Sequence, residues 1–161
     1  MKVIMFFLIA ATFVYSQGIE KKNNIIYAEI FGNGLFASLN YERAISDNFT
    51  VRVGLGYVFS NSESNSGSHH DFGFLPLAML NYLIEIHGNN YFELGAGALL
   101  ASSALTSNSN FESTTAIEPT FAIGYRYSPK AGGIFFSAAF DMFPAPGKIY
   151  SWGGLGIGIR F

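Results

Sequence analysis

The feature that most restricts this chain is a two-residue alternation of large apolar side chains with glycine or polar ones. In the segment Phe49–Phe59, Phe49, Val51, Val53, Leu55, Tyr57 and Phe59 fall on one face, and Thr50, Arg52, Gly54, Gly56 and Val58 on the other. Ile117, Pro119, Phe121, Ile123, Tyr125 and Tyr127 oppose Glu118, Thr120, Ala122, Gly124 and Arg126. Leu155, Ile157, Ile159 and Phe161 oppose Gly154, Gly156, Gly158 and Arg160. Phe92, Leu94, Ala96, Ala98 and Leu100 alternate with Glu93, Gly95, Gly97 and Leu99. A period of two is the signature of a strand, whose successive side chains project to opposite faces. Turn residues divide the chain into eight such segments, which predict strands over 25–33, 35–44, 49–60, 72–83, 91–102, 116–127, 133–142 and 151–161. The segment 72–83 is apolar almost throughout, so its facing is ambiguous. Pro76 and Pro119 each lack a ladder donor, and Pro76 is expected to mark a bulge.

Period-two strands suit a soluble sandwich as well as a membrane barrel, and composition separates them. Half the residues are apolar and 12% are charged, against about 25% charged in a soluble domain. The polar face uses Gly, Ser, Thr, Asn, Glu and Arg, but not lysine. The five lysines, Lys2, Lys21, Lys22, Lys130 and Lys148, fall in the leader, the tail after it, a turn and a loop. A solvated outer face uses lysine freely. Arginine matched with glutamate, and glycine to make room, suits a narrow polar interior. The apolar face is large and aromatic, as a lipid-facing surface requires. Strands can cross hydrocarbon only as a closed barrel, because every backbone group must be paired. The expected architecture is therefore all-β, an eight-stranded antiparallel up-and-down transmembrane β-barrel with lipid outside and polar groups inside.

Connection lengths fit that reading. Ile45–Asn48, Glu85–Asn90 and Ser128–Gly132 are short, as periplasmic turns are. Asn61–Asp71, Ser103–Thr115 and Phe143–Tyr150 are longer, as external loops are. The first outer connection, around Gly32–Gly34, is tight. Tyr27, Tyr41, Tyr57, Tyr82, Tyr91, Tyr125, Tyr127 and Trp152 lie toward strand ends and are expected to form interfacial girdles.

Lys2 and the apolar run Val3–Tyr15, with Val14 and Ser16 at small-residue positions, read as a secretory signal peptide over residues 1–16. Cleavage after Ser16 leaves residues 17–161 for the barrel domain. After Tyr15 no apolar run approaches the roughly 20 residues of a membrane helix. The absence of cysteine excludes a disulfide scaffold and a Cys-ligated metal. A formal charge of −2 gives no reason to expect nucleic acid as a partner.

Strand direction places Glu42, Arg52, Glu93, Arg126 and Arg160 in the periplasmic half of the interior. An ion-pair network of net +1 is expected there, with Glu42 and Arg52 meeting across the Ile45–Asn48 turn. Glu29, Glu118 and Asp141 fall in the middle or outer half without an obvious cation. The simplest consequence is a plugged interior; the alternative is an acidic vestibule admitting cations. His69, His70 and Asp71 end a Ser/Asn-rich loop, where a divalent metal or acyl chemistry is conceivable, but no base–nucleophile spacing supports it. They read as solvated loop residues, so no catalytic, cofactor or metal site is expected. Phe111 is the one exposed aromatic candidate in the outer loops.

At this point the chain resembles the small outer-membrane β-barrel proteins of the OmpA transmembrane-domain and OmpX type. The signal peptide, the glycine–aromatic alternation and the terminal Leu155-x-Ile157-x-Ile159-x-Phe161 carry the resemblance. ASLNYERAI, FAIGYRYSPKAGG and YFELGAG are also similar to a porin-like barrel family. The resemblance implies insertion into the outer membrane and outer-membrane lipid as surroundings. It also implies that Leu155, Ile157, Ile159 and Phe161 are the signal read by the barrel assembly machinery. The expected role is non-enzymatic, envelope-structural or surface contact through the outer loops, with the external ligand unspecified. The alternatives are a narrow channel for small solutes or cations and, less favoured, a lipid-modifying enzyme.

Overall fold

The computed structural model describes residues 22–64, 67–102, 115–145 and 147–161. The signal peptide over residues 1–16 and Phe111 lie outside them. Eight strands follow one another: β1 (Asn24–Ile30), β2 (Ala37–Ala44), β3 (Phe49–Ser64), β4 (Gly67–His87), β5 (Asn90–Ser102), β6 (Thr115–Tyr127), β7 (Gly133–Ala145) and β8 (Lys148–Arg160). Each pairs antiparallel with its chain neighbours. β1 closes on β8 from Ile25↔Arg160 to Ile30↔Leu155, so the sheet is a closed up-and-down barrel. Closure pairs the ladder that would otherwise end at an open edge, the condition for placing strands in hydrocarbon.

The alternation sets the facing of every strand. Phe49, Val51, Val53 and Leu55 are exposed on the outside of β3, while Thr50 and Arg52 are buried inside. Phe121, Ile123, Tyr125 and Tyr127 face outward from β6, and Thr120, Ala122 and Arg126 inward. On the ambiguous β4, Leu75, Leu77, Met79, Asn81 and Leu83 point inward and Phe74, Leu80, Tyr82 and Ile84 outward. This strand is apolar on both sides because its inner face helps to build an apolar cluster, described below.

Three expectations need correction. Residues 61–64 and 67–71, expected in a loop, are strand. β3 and β4 continue as a two-stranded ribbon from Ser60↔Asp71 to Ser64↔Gly67, which places His69 and His70 opposite Ser62 and Asn61. Residues 143–145 and 148–150 are likewise strand, with Ala145 paired to Lys148. Serine and asparagine are poor strand formers, and the ladder carried up from the barrel overrides that preference.

The proline expectation also changes. The β3–β4 register runs through Leu55↔Pro76 without a shift, so there is no bulge at Pro76. The β4–β5 ladder ends at Leu77↔Leu99, one residue short of it. Pro119 and Pro144 are placed in the same way, because the β6–β7 ladder stops at Phe121↔Met142. All three prolines stand where one neighbouring strand has already departed, so the missing N–H need not break a ladder.

The third correction concerns the girdles. Tyr82, Tyr125 and Tyr127 are exposed outside near the turn end, and Phe49 packs on Tyr82 with ring centroids 4.9 Å apart. Tyr57 meets Phe74 toward the other rim at 6.1 Å. Tyr27 and Tyr91, however, are buried in the lumen, and Trp152 packs against the interior apolar cluster. Their positions share parity with Glu29, Glu93 and Gly154, which fixes them inward.

Candidate functional site

Among the described residues, the buried polar side chains gather in the lumen, which is filled in two layers. The layer nearer the turn end is ionic. Arg126 on β6 forms an ion pair with Glu42 on β2 and another with Glu93 on β5, the latter at 2.6 Å. Its Nε also donates to Glu93 Oε2 at 2.9 Å, and Nη2 to Glu42 Oε2 at 2.9 Å. Arg126 is 1% exposed and Glu42 0%, so this knot is shielded from bulk solvent. A planar five-donor fork suits an arginine gripping two carboxylates.

A second group forms a closed cycle. Arg52 pairs with Glu29. Arg52 Nε donates to Asn40 Oδ1 at 3.0 Å, and Asn40 Nδ2 donates to Ser38 Oγ at 2.8 Å. Ser38 Oγ donates back to Glu29 Oε2 at 3.1 Å. Between the two groups lie two rings. Tyr27 and Phe135 stand 4.7 Å apart, with the Arg52 guanidinium 5.2 Å from one and the Arg126 guanidinium 5.1 Å from the other. The aromatic faces carry negative potential toward the cations and exclude water from the ion pairs.

The second layer lies toward the hairpin end and is mainly apolar. Leu77, Met79, Leu99, Ala122 and Phe143 form a buried cluster, with Leu35 and Trp152 packed on it. Asp141 sits beside it, fully buried and hydrogen-bonded by Asn33, whose own carbonyl accepts from Thr120. Interior glycines provide the room. A Cβ at Gly97 would stand 2.8 Å from the Met79 Cα, and one at Gly154 2.7 Å from the Gly32 Cα.

The structure therefore distributes the expected charges differently from the sequence reading. Glu42 and Arg52 are register partners across β2–β3, yet each binds elsewhere: Arg52 to Glu29, and Glu42 to Arg126. Glu29, expected to lack a cation, has one. Arg160 joins neither group. It donates to Lys22 O at 2.6 Å and to Ser128 Oγ at 3.0 Å, at the turn end. Glu118 is on the inner face of β6, and no ion pair holds it among the described residues. The enclosed side chains, Arg52 and Arg126 with Glu29, Glu42, Glu93 and Asp141, carry a formal −2.

At the turn end, a cavity of about 30 Å³ is lined by residues including Thr50, Leu83, Tyr91, Arg126 and Arg160. That is room for one or two waters, and Arg126 forms part of its wall. Outside the barrel, Lys130 holds Glu85 at 2.7 Å, and this hydrogen bond lifts the Lys130 amine above the ordinary lysine range. Among the described residues no cluster of three His, Asp or Glu side chains is arranged to hold a metal.

This geometry defines a class, the small eight-stranded β-barrel with an apolar exterior and an ionic core. Among solved structures, the chain is similar to the N-terminal β-barrel domain of OprF from Pseudomonas aeruginosa. Identity is 15%, the TM-score is 0.54, and the match covers 88% of this chain and all of that one. The crystal structure of Ail, the attachment invasion locus protein of Yersinia pestis, matches at 18% identity and TM-score 0.46. That match covers 86% of this chain and 95% of Ail. No protein-family model and no curated protein matches the chain. The fold is thus shared with the barrel domain of OprF at low sequence identity.

Proposed function

We propose that this protein is an integral outer-membrane barrel that does not conduct, serving the envelope structurally or through the hairpins at one rim. The observation that carries the reading is the knot of Arg126 with Glu42 and Glu93, which spans the lumen and is almost wholly shielded from solvent. The apolar outer surface supports placement in lipid, and the shared fold supports the outer membrane. In this reading the leader over residues 1–16 is removed during export. The outward row Leu155, Ile157, Ile159 and Phe161, exposed on β8 and its end, is the strip that the assembly machinery reads. The role is non-enzymatic.

The test is cell fractionation combined with lipid analysis. The protein is expected in the outer-membrane fraction, migrating faster on gels unboiled than boiled. Protease added outside intact cells should cut in the β3–β4 ribbon. Lipid A mass spectra should be identical with and without the protein. Recovery in the soluble periplasm would overturn the placement, and a changed lipid A would overturn the non-enzymatic role.

A further inference from the structure

The connection between β1 and β2 does not pass over the rim. It dips into the lumen: Gly32, Asn33 and Gly34 are buried, and Asn33 is wholly enclosed. To make the dip, Phe31 and Leu35 adopt φ of 56° and 70°, left-handed backbone that bulky residues rarely take. The glycines beside them serve space instead. A Cβ on Gly34 would stand 3.1 Å from the Gly56 Cα.

The buried part of this connection is held as a ligand is held. Its polar end is the Asn33 amide, which donates to Asp141 Oδ1 and accepts from Thr120. Trp152 Nε1 donates to the Gly32 carbonyl at 3.1 Å. Its apolar end is Leu35, packed on the cluster of Leu77, Met79, Leu99 and Phe143. Trp152 completes the wall, stacked on Phe143 at 4.5 Å.

The fit is incomplete at one atom. Asp141 is 0% exposed and its Oδ2 has no hydrogen-bond partner. The two enclosed arginines are already engaged by Glu29, Glu42 and Glu93. A neutral amide thus occupies a place whose charge calls for a cation. An ammonium group has three donors. It would serve both oxygens of Asp141 and neutralise it, while an attached apolar chain lay where Leu35 now lies. We propose that the lumen at the hairpin end is a cup for a small primary ammonium bearing a short apolar chain, and that the Phe31–Phe36 connection is its internal occupant, displaced when that ligand binds. The ionic layer beneath is its floor.

Trp152 is the chain's one tryptophan and touches the occupant directly, so its fluorescence reports the cup. The full mature chain is refolded into phosphatidylcholine vesicles, with folding checked by the unboiled gel shift. Quenching of Trp152 by acrylamide is then measured. Wild type is expected to be shielded. Asn33→Ala, which unlatches the connection, is expected to raise the quenching constant about threefold. Hexylammonium should restore shielding saturably in that variant, and hexanoate should not. In Asn33→Ala/Asp141→Asn hexylammonium should restore nothing. Thr120→Val, which removes the other Asn33 partner, gives the same readout if Asn33→Ala fails to fold. The proposal is overturned if Trp152 stays shielded when the latch is removed, if hexylammonium and hexanoate act alike, or if restoration survives the loss of the Asp141 charge.

Discussion

Arg126 and Glu42 stand on opposite walls of the barrel, four strands apart and 84 residues apart in sequence, with Arg126 Nη2 2.9 Å from Glu42 Oε2. Their contact exists only once the sheet has closed. It ties β6 to β2 across the lumen, while Glu93 on β5 holds the same guanidinium from the side. Removing the cation strands two enclosed carboxylates, which is far more damaging than losing an exposed pair.

Arg126→Ala is therefore expected to lower stability by about 3–5 kcal/mol, read as a shift in the urea midpoint of the refolded barrel in lipid. Lys130→Ala, which breaks an exposed pair with Glu85, should change it by less than about 1 kcal/mol. Equal effects from the two substitutions would contradict the enclosed knot.

The partner of Arg52 can be separated from its register neighbour by double-mutant cycles. Arg52→Ala with Glu29→Gln should show a coupling of about 1–3 kcal/mol, because they share an ion pair and a hydrogen-bond cycle. Arg52→Ala with Glu42→Gln should show the smaller coupling. The reverse order would restore the pairing across the Ile45–Asn48 turn.

Much of this architecture is legible in the sequence, and the part that is not has a physical reason. Alternation is a local property, so the inward set Thr50, Arg52, Thr120 and Arg126 follows from period alone. Partner choice is not local. Arg52 reaches past β2 to Glu29 on β1, and such reach depends on barrel diameter and closure. Tyr27 was readable: it shares parity with Glu29, and the preference of tyrosine for interfaces conceals that signal. Phe135 shares the parity of Ser137 and Asp141. The inward dip of the Phe31–Phe36 connection leaves no sequence trace, because its left-handed positions are Phe31 and Leu35 rather than the neighbouring glycines.

Glycine placement gives a third prediction. Gly97→Ala drives a Cβ against the Ala78–Met79 backbone and should destabilise by about 1–3 kcal/mol. Gly153 faces outward, and a Cβ there would meet only Ala139 O at 3.8 Å. Gly153→Ala should be tolerated to within about 0.5 kcal/mol. Chemical denaturation of both variants in the same lipid decides the comparison.

The lipid face can be probed by charge. Phe121 is 42% exposed on the outside of β6, between the girdle at Tyr125 and the hairpin rim. Phe121→Arg should cost about 2–4 kcal/mol in a bilayer, as expected near the midplane. Tyr127→Arg, at the turn end, should cost about 0–1 kcal/mol. A flat response along the strand would mean that this surface does not face hydrocarbon.

The most direct measurement is single-channel recording of the refolded, heat-modifiable barrel in a planar bilayer. A lumen crossed by the Arg126–Glu42 contact and packed above it by Leu77, Met79 and Phe143 should give no steady conductance. A stable, voltage-independent current carried by the folded wild-type protein would contradict the closed lumen.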